Sequence, residues 1–378
     1  TLPLAMPSIA AGAVLVFLAT AATFGVPYLL GTAGPRRITV LTTAIVDHIT
    51  VGGDAHFSKA MALSLLLLVV SAAATLLGSL ATRGERKYAI VSGKGARARP
   101  LRLPTRTRTA IAAVLWGVVF VSVILPIGTL AAVSLLRAWG AGLGPSNWSL
   151  DNYRRVLFEN KHTIPALLNS VMLASAAGLI AVVVGTVVAY LRARQPSLKT
   201  RALAMLTHAP YAIPGTVIAL GLLLGWSREV RFIAFDRVTL AIDLFSGLGA
   251  LLAAYVIKYL AFGVRLAGSG LVQIDRALEE AARTSGASRL RAATDVVVPL
   301  LLPSLGAAWL LVFLPTLSEI TMSILLVGPG TPVVGTILFE LQSYADPPSA
   351  AVLVVLLVGL TLAGNAALRR ITAGRGGF

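Results

Sequence analysis

The chain has 378 residues, 57% hydrophobic and only 12% charged, with a mean hydropathy of +0.85. Soluble globular chains hold roughly 45–50% apolar and about 25% charged residues, so both departures exclude an ordinary soluble domain. The net charge is +17 and cysteine is absent, which removes disulfides, thiolate metal sites and cysteine nucleophiles. The basic residues lie between apolar stretches, as orienting loops of a membrane protein do, and not on a face suited to nucleic acid.

Eight apolar segments follow in chain order, at 9–31, 58–82, 109–137, 164–191, 202–226, 238–262, 301–327 and 349–368. Each is near or above the ~20 residues that cross a bilayer as a helix. The expected fold class is an all-α polytopic membrane protein of about eight transmembrane helices.

Lys and Arg set the orientation. The connection 83–108 carries Arg83, Arg86, Lys87, Lys94, Arg97, Arg99, Arg102, Arg106 and Arg108 against Glu85 alone, which predicts a cytoplasmic linker. Alternation then places 192–201, 263–300 and the C-terminal tail inside. The loops near 32–57, 138–163, 227–237 and 328–348 fall outside. Arg228, Arg231 and Arg237 conflict mildly with an outer position and are partly balanced by Glu229 and Asp236.

A repeat is visible without gaps. Sliding residues 2–31 onto 298–327 superposes Pro3 on Pro299, Pro7 on Pro303 and Ser8 on Ser304, and Leu15 to Leu18 on Leu311 to Leu314. Composition alone does not place two prolines and a serine in register. The expected division is therefore 1–82 as the end of a first repeat with two spans, 83–108 as the linker, and 109–378 as a complete second repeat with six. On that reading the chain, which opens on Thr1 without a signal-peptide pattern, is an N-terminally truncated piece lacking the first repeat's opening four spans.

The most informative segment runs from Gln273 to Pro299 on the inside. Asp275 stands at an N-cap position before the helix formers Ala277 to Arg283, and Gly286 supplies a helix stop. A short helix presenting Ala281 and Ala282 flanked by charge suits docking into a groove of another protein. A helix that merely connects two spans is the other reading. The segment Glu280-Ala281-Ala282, three residues, Gly286, nine residues, Val296, one residue, Val298-Pro299 resembles the signature loop of binding-protein-dependent ABC transporter permeases. That family has Ile and Leu where this chain has Val296 and Val298. Thr1-Leu2-Pro3 looks like the end of the same signature.

Further segments resemble the fused ferric-iron-type members: Trp148 to Tyr153 with Leu168-Asn169-Ser170, Pro210 to Gly215 with Ala219 to Gly221, and Leu317 to Leu326 with Pro329-Gly330-Thr331. The resemblance implies a MetI-like ABC permease fold in a bacterial inner membrane, with linker and C-terminus cytoplasmic. It implies no enzymatic activity and no cofactor in this chain. Partners would be a cytoplasmic ABC ATPase dimer, which uses the ATP, and a periplasmic solute-binding protein. The implied coupling loop comprises Glu279, Glu280, Ala281, Ala282, Gly286 and Pro299. Ferric iron is the expected solute, with thiamine, phosphonate, sulfate and polyamine as alternatives. The chain carries no G-x-x-x-x-G-K-[ST] loop, in keeping with a separate ATPase.

Charges inside spans are costly and mark functional candidates. Glu319 either lines a translocation path or pairs with a cation such as Lys258, or else it is a structural carboxylate near the outer end. Pro210, Pro214 and Gly215 are expected to kink or break the span 202–226 beside that path. Asp243 reads as interfacial, and Lys258 as snorkelling. His48, His56, His162 and His208 show no metal-ligand spacing, and His208 suits packing or capping. A secondary transporter would need ionisable pairs at mid-membrane, and an intramembrane enzyme would need a convergent catalytic set. The Glu280-to-Pro299 pattern argues against the first, and no such set is visible for the second.

Overall fold

The computed structural model describes residues 2–32, 38–82, 104–226, 230–234, 237–242, 248–328, 330–343 and 346–373. The basic linker up to residue 103, Asp243 and Pro329 lie outside the described residues.

The first half of the described chain holds α1 (Leu2–Ala21), α2 (Gly25–Thr32), α3 (Leu41–Val51) and α4 (Asp54–Thr82). After the linker come α5 (Thr105–Val119) and α6 (Leu125–Ser134), joined through a π-helical turn at Phe120–Ile124. The short α7 (Asp151–Arg154) precedes α8 (Thr163–Arg194), α9 (Leu198–Ala212) and α10 (Gly215–Trp226). An antiparallel hairpin, β1 (Val230–Ala234) with β2 (Arg237–Ile242), leads into α11 (Gly249–Val272). The chain then forms α12 (Arg276–Thr284), α13 (Arg289–Ala292), α14 (Val298–Leu317), α15 (Thr321–Leu326), α16 (Val334–Ser343) and α17 (Pro347–Ala373).

Among the described residues, six helices are long and apolar enough to cross a bilayer: Asp54–Gly78, Thr105–Ser134, Thr163–Arg194, Gly249–Val272, Arg289–Leu317 and Pro347–Ala366. The bent pair α9–α10 makes a seventh, turning by 108°. The polytopic helical expectation therefore holds, with several local corrections. The segment 238–262 is not one span: its first residues finish β2, and the helix runs from Gly249 ten residues further to Val272. Val238 to Ile242 are β-branched or aliphatic and, apart from Thr239, apolar, a composition that a strand and a helix share over a short run. The segments 9–31 and 301–327 are each interrupted, after Ala21 and after Leu317. Loops expected at 32–57 and 328–348 each carry a helix of their own, α3 and α16.

The helix bounds repeat. An offset of 296 carries Leu2–Ala21 onto Val298–Leu317, both 20 residues long, and carries the start of α2, Gly25, onto that of α15, Thr321. Beyond the next turn an offset of 293 carries the starts of α3 and α4, Leu41 and Asp54, onto those of α16 and α17, Val334 and Pro347.

The core of the second half is the bundle of α8, α11 and α14, the most extensively packed long helices. Lipid is as apolar as leucine, so helices associate in a membrane by close packing of small residues. Ala177, Ala181, Ala254 and Ala267 are fully buried. A Cβ on Gly263 would collide with the Ala181 carbonyl, one on Gly185 with the backbone at Gly263, and one on Gly178 with the Trp309 ring. These contacts let the backbones of α8 and α11 touch. Asn169 Nδ2 donates to the Pro332 carbonyl at 2.9 Å, and Ser170 Oγ accepts from Val334 N at 2.9 Å, so α8 fixes the start of α16. Asn152 Nδ2 donates to the carbonyls of Ser134 and Leu136 at 2.9 and 2.7 Å, which ties the Trp148–Tyr153 segment to the end of α6.

Candidate functional site

Two places draw together the residues singled out by sequence. One is the α12 loop at the base of the bundle. Asp275 has an extended backbone and its carboxylate accepts from Ala277 N at 3.0 Å, which caps α12. At the other end Gly286 takes a φ of 93°. Gly286 N donates to Arg283 O and Ala287 N to Ala282 O, both at 3.0 Å, the paired bonds of a Schellman stop. Ser288 Oγ accepts from Arg291 N at 3.2 Å and starts α13. A π-helical turn at Ala293–Val297 then feeds α14, with Pro299 in its first turn, where a missing N–H costs nothing.

The loop is bolted to α8. Glu279 is buried against it, accepting from Arg194 Nε at 2.6 Å and from Tyr190 OH at 3.0 Å. The Arg194 and Glu279 side chains form an ion pair and are each only 12% exposed. Arg276 donates to the Ala193 carbonyl at 2.5 Å. The expected loop residues therefore divide. Glu279 faces inward and positions the helix. Glu280, Ala281, Gly286 and Pro299 are exposed, and Ala282 is half-buried. Leu278 and Leu290 are 47% and 74% exposed, so the outer side offers apolar contact beside Glu280. A cleft of about 730 Å³ runs between α12–α14 and the end of α8, lined by Tyr190, Arg194, Glu279, Glu280 and Arg283 among others. Sequence reasoning missed Tyr190 and Arg194 as loop anchors. The arginine was visible there only as an inside-loop charge.

The second place is a cavity of about 500 Å³ where three helix breaks meet. Ala22 to Gly25 from the α1–α2 break line it, as do Tyr211, Ala212 and Gly215 from the α9–α10 break, and Ser318 to Met322 from the α14–α15 break. Pro210 lies in the last turn of α9 and Pro214 directly precedes α10, so the expected break of this span falls between Ala212 and Gly215. A break leaves helix-end groups unpaired, and the two charged side chains here satisfy them. Lys258 Nζ donates to the Tyr211 carbonyl at 3.2 Å and to that of Ile213, at the end of α9, and lies 5.8 Å from the Tyr211 ring centroid. Glu319 Oε2 accepts from Met322 N at 2.8 Å and Ser323 N at 3.2 Å, at the start of α15. Each charge sits at the helix end that favours its sign.

The structure brings Glu319, Lys258 and Gly215 to one cavity, and a Cβ on Gly215 would come 3.7 Å from Glu319 Oε1. Among the described residues no ion pair within 4.0 Å joins Glu319 to Lys258. Each is bound instead to a helix end. The Lys258 ammonium is held by the Tyr211 and Ile213 carbonyls. His208 Nδ1 is 2.6 Å from the Ala204 carbonyl one turn back, a capping contact. Thr23 and Phe24 were missed. They occupy the first-half places that match Glu319 and Ile320.

A family model described as "Binding-protein-dependent transport system inner membrane component" matches residues 181–374. The chain is 27% identical over 332 residues to the ferric transport system permease protein FbpB of Actinobacillus pleuropneumoniae, covering 87% of this chain and 45% of that protein. It therefore spans less than half the length of that relative. It is 30% identical over 207 residues to the molybdate/tungstate transport system permease protein WtpB of Thermococcus kodakarensis, covering 53% of this chain and 77% of that protein. The crystal structure of a bacterial ABC transporter involved in alginate import contains a chain with the same fold. That chain has a TM-score of 0.53 and 18% identity, over 71% of this chain and 96% of that one. The family match takes in the span 249–272, the α12 loop with its Glu280–Pro299 spacing and both ends of α14, and the chain belongs to the binding-protein-dependent transport system inner membrane components, the permeases of ABC importers.

Proposed function

We propose that this chain moves a solute across the bacterial inner membrane, with α12 as the docking helix for a separate cytoplasmic ATPase and the three-break cavity as part of the path. The observation that carries this reading is the continuity of α14. Its first turn follows the α12 loop, and its last residue, Leu317, precedes the break at Glu319. Its 20 residues span about 30 Å as one rod. The buried Arg194–Glu279 pair makes α12 move with α8, and α8 is packed on α14 and α11. A partner pulling on α12 therefore pulls α8 and, packed on it, α14, whose far end lies at the cavity.

The basic character of 263–300 supports a cytoplasmic α12, and on that orientation the cavity-side breaks face outward, where a solute-binding protein would deliver. On the same reading 1–82 is the end of a first permease repeat, 83–108 a cytoplasmic linker and 109–378 a complete second repeat. The coincidence of helix bounds at offsets of 296 and 293 supports this division. Lining of the cavity by both halves fits a path on a repeat interface.

The proposed solute is ferric iron, on the name of the Actinobacillus relative. Molybdate or tungstate is the second reading, on the name of the Thermococcus relative. Vesicles of the host organism carrying the transporter are loaded with ATP and offered labelled ferric iron with its host binding protein, against labelled molybdate with its own. Iron accumulation that molybdate does not suppress supports the first reading, and the converse supports the second. For the ATPase, the detergent-solubilised chain is co-purified with the host's ATP-binding cassette subunits. Capture of one subunit, lost with Glu280→Lys, is expected. Equal capture by both forms would remove α12 from the coupling role.

A further inference from the structure

The hairpin between α3 and α4 brings together two histidines that sequence spacing leaves apart. His48 lies in the last turn of α3 and His56 in the first turn of α4. The two helices reverse direction through Gly52 and Gly53, with φ of 74° and 83°, values that glycine reaches without steric cost. The reversal sets His48 Nδ1 3.0 Å from His56 Nδ1, with ring centroids 5.2 Å apart and planes inclined by 47°. Both rings are half-buried, and neither imidazole has another hydrogen bond among the described residues.

We propose that His48 and His56 form a two-imidazole site for a divalent transition-metal ion of the borderline kind that imidazole favours, such as Zn²⁺. An imidazole nitrogen binds such an ion at about 2.0–2.1 Å, so two ligands at 90° to 109° around it stand about 2.9–3.4 Å apart. The observed separation already falls there. Two facing Nδ1 atoms share at most one proton between them as a neutral pair, and a cation held by both lone pairs takes that proton's place. Asp47 precedes His48, and Asp54 opens α4. Their negative charge in the same hairpin favours a cation. Among the described residues no third histidine or carboxylate completes the cluster, so water or a docking molecule fills the remaining positions.

The fold itself does not demand the pair. The matching hairpin α16–α17 has Leu341 and Ser349 at the corresponding places, and its helices start in the same register. The histidines are therefore an addition to a turn that forms without them. The site stands apart from the three-break cavity and from the α12 loop, so it does not rest on the transport reading.

The chain is purified without a polyhistidine tag, stripped with chelator and titrated with Zn²⁺ by calorimetry. The expected result is one ion per chain. Loss of an outer-shell partner alone weakens metal sites 10–100-fold, so His48→Ala and His56→Ala are each expected to weaken binding at least about tenfold. His162→Ala should leave binding unchanged. The Cu²⁺-loaded unsubstituted chain is expected to show two coordinated imidazole nitrogens by electron paramagnetic resonance, a readout independent of whether a variant folds. Absence of stoichiometric Zn²⁺ binding, binding that survives the double substitution, or a copper spectrum with fewer than two imidazoles would overturn the proposal.

Discussion

At the scale of single residues, neighbours in sequence do different work. Glu279 and Glu280 are adjacent acids in one motif, yet one is sealed against Arg194 and Tyr190 and the other is exposed. Removing one partner of a buried ion pair costs about 3–5 kcal/mol, because the other charge is left without a partner. Glu279→Ala should therefore speed amide hydrogen exchange across Arg276–Thr284 by about a hundredfold or more. Glu280→Ala should leave that exchange within about threefold, as exposed substitutions do, while lowering ATPase capture. Equal effects of the two would contradict the division of roles. Gly286 has a positive φ and open space where a Cβ would be. Gly286→Ala should thus cost only the backbone penalty of about 1–2 kcal/mol, measured as the loss of exchange protection at Gly286 and Ala287.

At the scale of elements, helical periodicity and the turn chemistry of the α12 loop were legible in the sequence. Asp275, Gly286 and Pro299 take the cap, stop and first-turn places expected of them. The Pro210–Gly215 break was legible for the same reason, since proline removes a donor and clashes with the preceding turn. The breaks after Ala21 and Leu317 were not. Thr23-Phe24 and Ser318-Glu319-Ile320 contain no obligatory breaker, and what stabilises the second break is the Glu319 carboxylate folding forward onto the first turn of α15. The β-hairpin was hidden because Val238–Ile242 satisfies a helix or a strand equally. The α8–α11 contact was also silent, since a glycine in an apolar run does not announce which backbone it touches. Gly263→Leu is expected to force α8 from α11, with overpacking that costs about 1–3 kcal/mol or more. A fall in detergent-solubilised melting temperature, absent for Gly225→Leu where space is open, checks it.

At the scale of the whole molecule, two charged side chains hold the ends of broken helices around one cavity. This arrangement lets substitutions separate the structural role of Glu319 from the transport role proposed for it. Glu319→Gln keeps an acceptor for the start of α15 and removes the charge, so it should leave the melting temperature nearly unchanged and lower uptake. Glu319→Ala removes the cap too, costs about 1 kcal/mol, and should lower both. Uptake that tracks stability alone in the two variants would assign the carboxylate to structure. The sequence showed that Glu319 and Lys258 were charges in apolar spans, and pairing them was one of the readings it left open. The structure gives each a helix end instead, where it satisfies backbone groups that the break leaves without intrahelical partners.

The central claim is that α12 hands the motion of a separate ATPase to the membrane helices, and cross-linking at Ala281 tests it most directly. The chain has no cysteine, so Ala281→Cys introduces a single thiol on the exposed face of α12. The account predicts one specific cross-link to an ATP-binding cassette subunit whose yield changes between ATP-bound and nucleotide-free states. A cross-link at Ala281 that is absent, or indifferent to ATP while uptake continues, would contradict it.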